Sequence, residues 1–434
     1  MLFEKEVTVG IFDTLLKIYL FCTAFCILLY LPRLSCWAWA RRKQPRLKAQ
    51  KIRTLALLIP ARNESAAIGS LLDSIQRQSY PREAFDAHVI VASADDPTIE
   101  MAQAAGARVH IVAGQSCKGD ALDTCMKTIL DETPHRYDAY IIVDADCVLD
   151  EAFCEEMNNA LESDAEIICA KKKVKNYFFG DRRSQPLSAC CNAIIWTLID
   201  NMGNRAKAAH GDVCFTVGTG LMLRANVVRM NGGWPYRSTV TEDMELMHDV
   251  VLKGWKTFYY EHAVLYMEEA DSHRVTNKRR RRWLTGVIDS KRLYAPKISA
   301  DPVASRRYRQ IYHTRNLWIV YLLIGISTLF AIGNALAAIL LRTFRDALWF
   351  PAMRNAVIGV GAIYTMFFIM TLVALIADFE NIRLPLHRKL ILLFVHPIFY
   401  MEYIPIVAVA LFTPYGRSWD AIRRVNFAES EKGK

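Results

Sequence analysis

From Leu317 to Leu341 the chain runs 25 residues without a charge, and from Ala356 to Ala377 another 22. As helices rising about 1.5 Å per residue, both runs are long enough for the ~30 Å hydrocarbon core of a bilayer. A third segment, Leu390 to Phe412, is interrupted by His396, Pro397, Glu402 and Pro405. A carboxylate at that depth is costly unless paired or facing water, so Glu402 is expected to bond to a neighbouring helix, with a transport role as the alternative. At the front, Ile11 to Leu31 is apolar apart from Asp13 and Lys17 and lacks a basic leading segment and a small-residue cleavage site. It reads as a retained anchor within residues 1–35.

Charge placement orients these spans. Residues 32 to 53 carry eight Lys/Arg and no acid, and residues 274 to 282 carry six more, together exceeding the net charge of +10. Positive charge stays on the cytosolic face, so the basic segment 36–52 and everything up to the second basic stretch are expected in the cytosol of a multi-pass cell-membrane protein. Three spans after that domain would leave the C-terminus outside, yet its tail (413–434) holds Arg417, Arg423 and Arg424. A re-entrant third segment in the 316–412 membrane region would remove the conflict. All eleven cysteines precede residue 215 and none forms a CxxC pair, which favours structural thiols in a reduced compartment over a disulfide framework or a zinc site. At 53% hydrophobic and 23% charged, the chain is too apolar for a disordered or nucleic-acid tail protein.

Between residues 53 and 275 short β-rich runs (Thr54 to Ile59, His88 to Ala92, Arg108 to Val112, Ala139 to Val143) alternate with amphipathic helices such as Ser65 to Gln76 and Thr98 to Ala105. Such alternation predicts an α/β domain whose mostly parallel sheet carries helices on both faces, with its ligand site beyond the carboxyl ends of the strands. At those ends stand Pro60-Ala61-Arg62-Asn63-Glu64, Ser93-Ala94-Asp95-Asp96 and Asp144-Ala145-Asp146. In extended backbone Asp144 and Asp146 point the same way and suit a divalent cation bridging a diphosphate, although an isolated Asp-x-Asp is more often a solvated loop. Thr241-Glu242-Asp243 opens a helical run to Leu252, where Thr241 is expected to cap the helix and Asp243 is either a base for a hydroxyl or an ordinary first-turn acid. Gly218-Thr219-Gly220 and Gly232-Gly233-Trp234 offer backbone for close approach to a ligand, or simply turns.

Lys278 to Arg282 runs into Trp283, and Trp283, Leu284, Val287 and Ile288 share one helical face before Pro296. The 276–315 region is therefore expected to form amphipathic helices on the membrane, with the cations on anionic headgroups or on a diphosphate. Nucleic acid is excluded as a partner, because the run abuts membrane spans and no nucleic-acid-binding fold is present.

Taken in order, IPARNES (59–65), QSYP (78–81), CKGDALD (117–123), DAD (144–146), GTGLMLR (218–224), GGW (232–234) and TED (241–243) resemble the membrane-embedded inverting glycosyltransferases with a GT-A catalytic domain, such as cellulose, chitin, hyaluronan and poly-N-acetylglucosamine synthases. The resemblance implies a Rossmann-like GT-A domain over 53–275 and a nucleotide-sugar donor, with Glu64 and Asp95 at the uridine and Lys118 near the nucleotide. It further implies Mg2+ or Mn2+ organised by Asp144 and Asp146, Asp243 as the base, and acceptor or diphosphate contacts from Glu242, Arg279, Arg282 and Trp283. Two departures stand out. The acidic nucleotide loop reads SADDP, which brings Asp96 into competition with Asp95. Where processive enzymes carry Gln-x-x-Arg-Trp, this chain has Arg279 through Arg282 and then Trp283, as in ceramide glucosyltransferase-like enzymes.

The reaction so implied is a single displacement with inversion at the anomeric carbon, probing two acceptor classes. A growing glycan, with an accessory export subunit as a possible partner, is the first. A glycolipid acceptor reached through membrane lipids, with single addition, is the second, and a catalytically silent GT-A scaffold is the reading from another class.

Overall fold

The computed structural model describes residues 2–40, 44–179, 185–270, 272–313, 317–343 and 349–413. Its soluble part is built on β1 (Leu55–Pro60), β2 (Phe85–Val91), β3 (Arg108–Ile111), β4 (Ala139–Ile142), β5 (Val148–Leu149), β6 (Ile167–Val174), β7 (Leu221–Arg224) and β8 (Thr257–Met267). They form one sheet in the order β3-β2-β1-β4-β7-β6-β8-β5. The pairs β2–β3, β1–β2, β1–β4 and β6–β8 are parallel, whereas β7 runs antiparallel to β4 and β6, and β5 to β8.

Every residue of β1 is buried, as expected of a strand covered on both faces. Leu55, Leu57 and Ile59 enter one apolar core and Ala56 and Leu58 the other, so the alternation of a single strand divides its side chains between two cores. The helices on either face are amphipathic. Ile68–Gln76 buries Ile68, Leu71, Leu72 and Ile75, spaced for one helical stripe.

Four helical stretches among the described residues are long and apolar enough to cross a membrane: Gly10–Leu29, Leu322–Thr343, Trp349–Ala377 and Leu386–Phe412. The first packs on the second and third through specific polar contacts. Tyr19 stacks on Phe330 at 4.2 Å and its hydroxyl lies 2.8 Å from Ser327 Oγ. Asp13, a charge inside the first apolar segment, accepts from Arg354 at 2.6 Å.

The fourth apolar stretch is two helices, Leu386–Met401 and Tyr403–Phe412, meeting at Glu402. Glu402 is paired, as a carboxylate there requires: both its oxygens bond His273 Nε2 at 2.7 and 2.8 Å, and Arg280 lies at 3.6 Å. His273 and Arg280 belong to the helix His273–Ala300, which runs unbroken past Pro296. Within the basic run this helix does not sort its cations to one surface. Arg280 is fully buried, donates to the Phe399 carbonyl at 3.0 Å and lies between the rings of Phe399 and Tyr403, while Lys278 and Arg281 are exposed. The expected headgroup anchor is thus corrected for Arg280, whose planar cation instead ties the helix to the apolar segment behind it. The tail arginines Arg417, Arg423 and Arg424 lie outside the described residues.

Candidate active site

The carboxyl ends of the parallel strands open onto a cavity of 1140 Å³ lined by Glu64, Lys118, Asp144, Asp146, Gly218, Glu242, Asp243, Arg279, Arg282 and Trp283. Of the residues to which the resemblance gives a role, every one but Asp95 is therefore on its wall. Asp95 is exposed on the loop after β2, outside the lining. Its neighbour Asp96 is buried and accepts from the Asn63 amide at 2.8 Å and the Thr98 amide at 3.0 Å. Asn63 has φ 55°, a left-handed conformation that asparagine tolerates, so Asp96 holds the turn that presents Glu64.

Asp144 and Asp146 both line the cavity, but not by the alternation of extended backbone. They sit in a tight turn after β4, in which the Cys147 amide donates to the Asp144 carbonyl at 3.1 Å, while the Asp144 amide donates to Thr219 Oγ1 at 3.0 Å. Lys118 opens the helix Lys118–Glu132 and spans the site. Its Nζ donates to Asp144 Oδ1 at 2.6 Å and to the Gly218 carbonyl at 2.8 Å, and lies 3.4 Å from Glu242 Oε1. Burial works against this ammonium, yet Asp144 and Glu242 outweigh it and hold its pKa above the usual lysine range. Gly119 makes the placement possible, since a Cβ there would sit 2.3 Å from the Tyr236 carbonyl oxygen.

Asp243 lies in the first turn of the helix Glu242–Lys253. Its Oδ2 accepts from the Gly218 amide at 2.9 Å and its Oδ1 from the Met244 amide at 2.8 Å, while the carboxylate opens onto the cavity. Burial, followed by the charge of Glu242, raises its pKa to about 7, against the opposing effects of Lys118 and the two amides. The expected Thr241 cap is absent: the Thr241 hydroxyl makes no bond to the helix and is buried without a hydrogen-bond partner. It is instead pressed against Gly286 of the long basic helix, where an added Cβ would meet Thr241 Oγ1 at 2.6 Å. That close approach carries Arg279, Arg282 and Trp283 to the cavity wall.

Arg282 lies in the field of Glu242, Asp243 and Asp144, although burial lowers its pKa. The Arg279 guanidinium stands 5.2 Å over the Trp283 ring and 3.6 Å from Glu269. Trp196 meets Trp283 edge to face at 6.2 Å and donates its indole N–H to Glu269. Sequence reasoning missed both Glu269 and Trp196. Glu269 follows the end of β8 and was detectable by the same strand-end logic, whereas nothing local marks Trp196 within its apolar helix.

The donor set at the turn fits a hard divalent cation: two carboxylates on one cavity wall, with Asp144 Oδ1 engaged by Lys118 and the side chain still 37% exposed.

Residues 53–286, more than half of the chain, match the family model described as glycosyltransferase like family 2. Among solved structures the chain is similar to the mannosyltransferase PcManGT from Pyrobaculum calidifontis, in complex with GDP-Man and Mn2+, with a TM-score of 0.53 and 16% identity over 92% of this chain and 99% of that one. It also matches S. aureus TarS (TM-score 0.40, 13% identity, 76% of this chain and 54% of that chain) and TarS 1–349 in complex with UDP-GlcNAc (TM-score 0.40, 14% identity, 81% and 92%). The sheet, the family model and the likeness to PcManGT together define a GT-A domain, and the chain belongs to glycosyltransferase family 2.

Proposed function

We propose that this protein transfers a sugar, with inversion, from a nucleotide-sugar, a UDP-sugar by the motif pattern, to a hydroxyl of a membrane lipid. One observation carries the choice of acceptor. The cavity that holds the acidic cluster continues between the apolar helices, where Ile27, Leu323, Ile324, Ile363, Met366, Phe367 and Met370 line it. An apolar wall at that depth suits an acyl or isoprenoid chain, whereas a polar glycan passing through would leave its hydroxyls without partners. The Arg at position 279, in place of the Gln of processive enzymes, points the same way.

In this reading the acceptor hydroxyl reaches Asp243 from the membrane side. The carboxylate takes its proton as the hydroxyl attacks the anomeric carbon and the bond to the diphosphate breaks, and its raised proton affinity makes it a stronger base than a solvent-exposed aspartate. Lys118 and Arg282 supply positive charge where negative charge develops on the leaving group. Trp283, held by Trp196 and Arg279, offers a ring face for the sugar at the border between the polar and apolar parts of the cavity. Asp144 and Asp146 would hold Mg2+ or Mn2+, which when bound neutralises the donor diphosphate.

The membrane layout that fits is three crossings with the Leu386–Phe412 stretch re-entrant. Tyr403–Phe412 runs beside the charged helix His273–Ala300, whose Arg292 donates to the Leu411 carbonyl at 2.6 Å, and that helix packs its other side on the catalytic domain through Ser290 and His248. A segment held there shares the face of the catalytic domain, so domain and C-terminal tail both lie in the cytosol and the basic tail obeys the positive-inside rule.

The test is a donor screen measuring nucleotide release from full-length protein in lipid nanodiscs, with the product partitioned between organic and aqueous phases. A single sugar on an organic-soluble product is expected. An aqueous polymer would establish the glycan synthase reading, and no release with any donor or acceptor would leave the scaffold reading.

A further inference from the structure

Behind the sheet edge, away from the cavity, His88 of β2, His110 of β3 and Cys125 of the Lys118–Glu132 helix each place a ligand atom within 4.8 Å of the others. His88 Nδ1 and His110 Nε2 are 2.9 Å apart, and His88 Nε2 lies 2.9 Å from the Tyr137 hydroxyl. That hydroxyl donates its one proton to Asp86 at 2.5 Å and also accepts from Arg136 at 3.1 Å. Arg136 also donates to the same Asp86 oxygen at 2.8 and 2.5 Å, so a paired carboxylate backs the network. With the Tyr137 proton committed to Asp86, His88 Nε2 must be the donor of its pair. A neutral His88 ring that donates from Nε2 to the Tyr137 hydroxyl carries its only proton there. Its Nδ1 is then an acceptor, turned towards His110 Nε2 at 2.9 Å and towards the buried Cys125 thiol. A histidine whose outer nitrogen donates into a carboxylate-backed network is the usual arrangement of a metal-ligating imidazole.

We propose that His88, His110 and Cys125 form a Zn2+ site, with water in the fourth position on the half-exposed His110 side. Two imidazoles and a thiolate suit Zn2+ and disfavour Mg2+, Mn2+ and Ca2+, which keeps this site chemically separate from the carboxylate pair in the cavity. Tetrahedral ligands at about 2.0–2.3 Å from the ion stand about 3.3–3.7 Å apart, so the widest gap must close by roughly 1 Å. Binding needs His110 to hold its proton on Nδ1 and Cys125 to release its thiol proton to solvent, one proton per ion. The ion would join β2 and β3 to the helix that begins at Lys118, about 10 Å along the axis from Cys125, and so fix the element that places the Lys118 ammonium.

The test uses full-length protein in detergent, stripped with EDTA and titrated with Zn2+ or Co2+ alone. We expect one tight equivalent of Zn2+, a thiolate-to-cobalt charge-transfer band with the strong visible bands of a tetrahedral ion, and a higher melting temperature with Zn2+. His110→Gln should weaken binding by more than about 100-fold and abolish the melting shift, and Tyr137→Phe should weaken it about 10- to 100-fold. Because Cys125 is fully buried, Cys125→Ser is read only through loss of the thiolate band in protein that still melts cooperatively. Cobalt held by carboxylates gives no thiolate band, so its absence in the parent protein, or unchanged affinity in His110→Gln, overturns the site whatever the transferase assay reports.

Discussion

Asp243→Asn separates chemistry from stability, because the two should move in opposite directions. The folded carboxylate has its pKa raised from 3.8 to about 7, so the stability it contributes is fully present below pH 4 and is lost as pH rises towards 7. Above pH 7 the ionised form therefore weighs against the fold, by a few kcal/mol in order of magnitude. Asparagine removes that charge at nearly constant volume. It also leaves only one oxygen for the Gly218 and Met244 amides, a loss of about 1–3 kcal/mol. The net expectation in metal-free protein is that the variant gains a few kcal/mol on wild type between pH 4 and pH 8, starting from a loss of about 1–3 kcal/mol at pH 4. Turnover should fall about 10²- to 10⁴-fold with little change in nucleotide affinity, as for a group acting mainly in the transition state. The wild-type rate should also show an acid limb near the Asp243 pKa that the variant lacks. Melting curves in detergent and EDTA at both pH values, paired with nucleotide release, make the measurement. Wild-type turnover in the variant, or a lower melting temperature at pH 8 than at pH 4 relative to wild type, would refute the reasoning.

Arg280→Ala and Arg282→Ala, two residues apart, should fail differently. The first strips a fully buried cation from Phe399, Tyr403 and Glu402 and should cost about 3–5 kcal/mol, read as lost folded protein, whereas the second should fold and lose transfer rate. Met366→Trp narrows the apolar part of the cavity and should raise the KM for a lipid acceptor while nucleotide binding is unchanged; equal loss of both would remove the case for a lipid route. Asp146→Ala should abolish metal-dependent nucleotide binding, and full activity in excess EDTA would dispose of the cation altogether.

How much of this was legible in the sequence depends on the range of the interactions. Spans, strands and the loops at strand ends follow from local periodicity and from runs of uncharged residues, because burial on both faces or in lipid demands unbroken apolar sequence. Thus the reading of residues 54–59 as a strand and of 317–341 and 356–377 as membrane-length helices needed no partner, and observed helices and strands lie there. The motif order placed Glu64 and Asp144 at strand ends and Asp243 at a helix start, yet not which carboxylate turns inward. Asp95 and Asp96 differ by one position, and the Asn63 amide across the loop, with the Thr98 amide, holds Asp96 as the buried one. Five consecutive cations from Lys278 to Arg282 look alike in sequence, but a helix turns about 100° per residue, so each meets a different neighbour. Tertiary packing therefore sends Arg280 into the apolar core, Arg282 into the acidic cavity and Arg281 into solvent. The His88–His110–Cys125 cluster is the same lesson in another form. Its members lie 22 and 15 residues apart in the chain and share no spacing motif, and only the parallel pairing of β2 with β3 and the helix laid over them makes them neighbours.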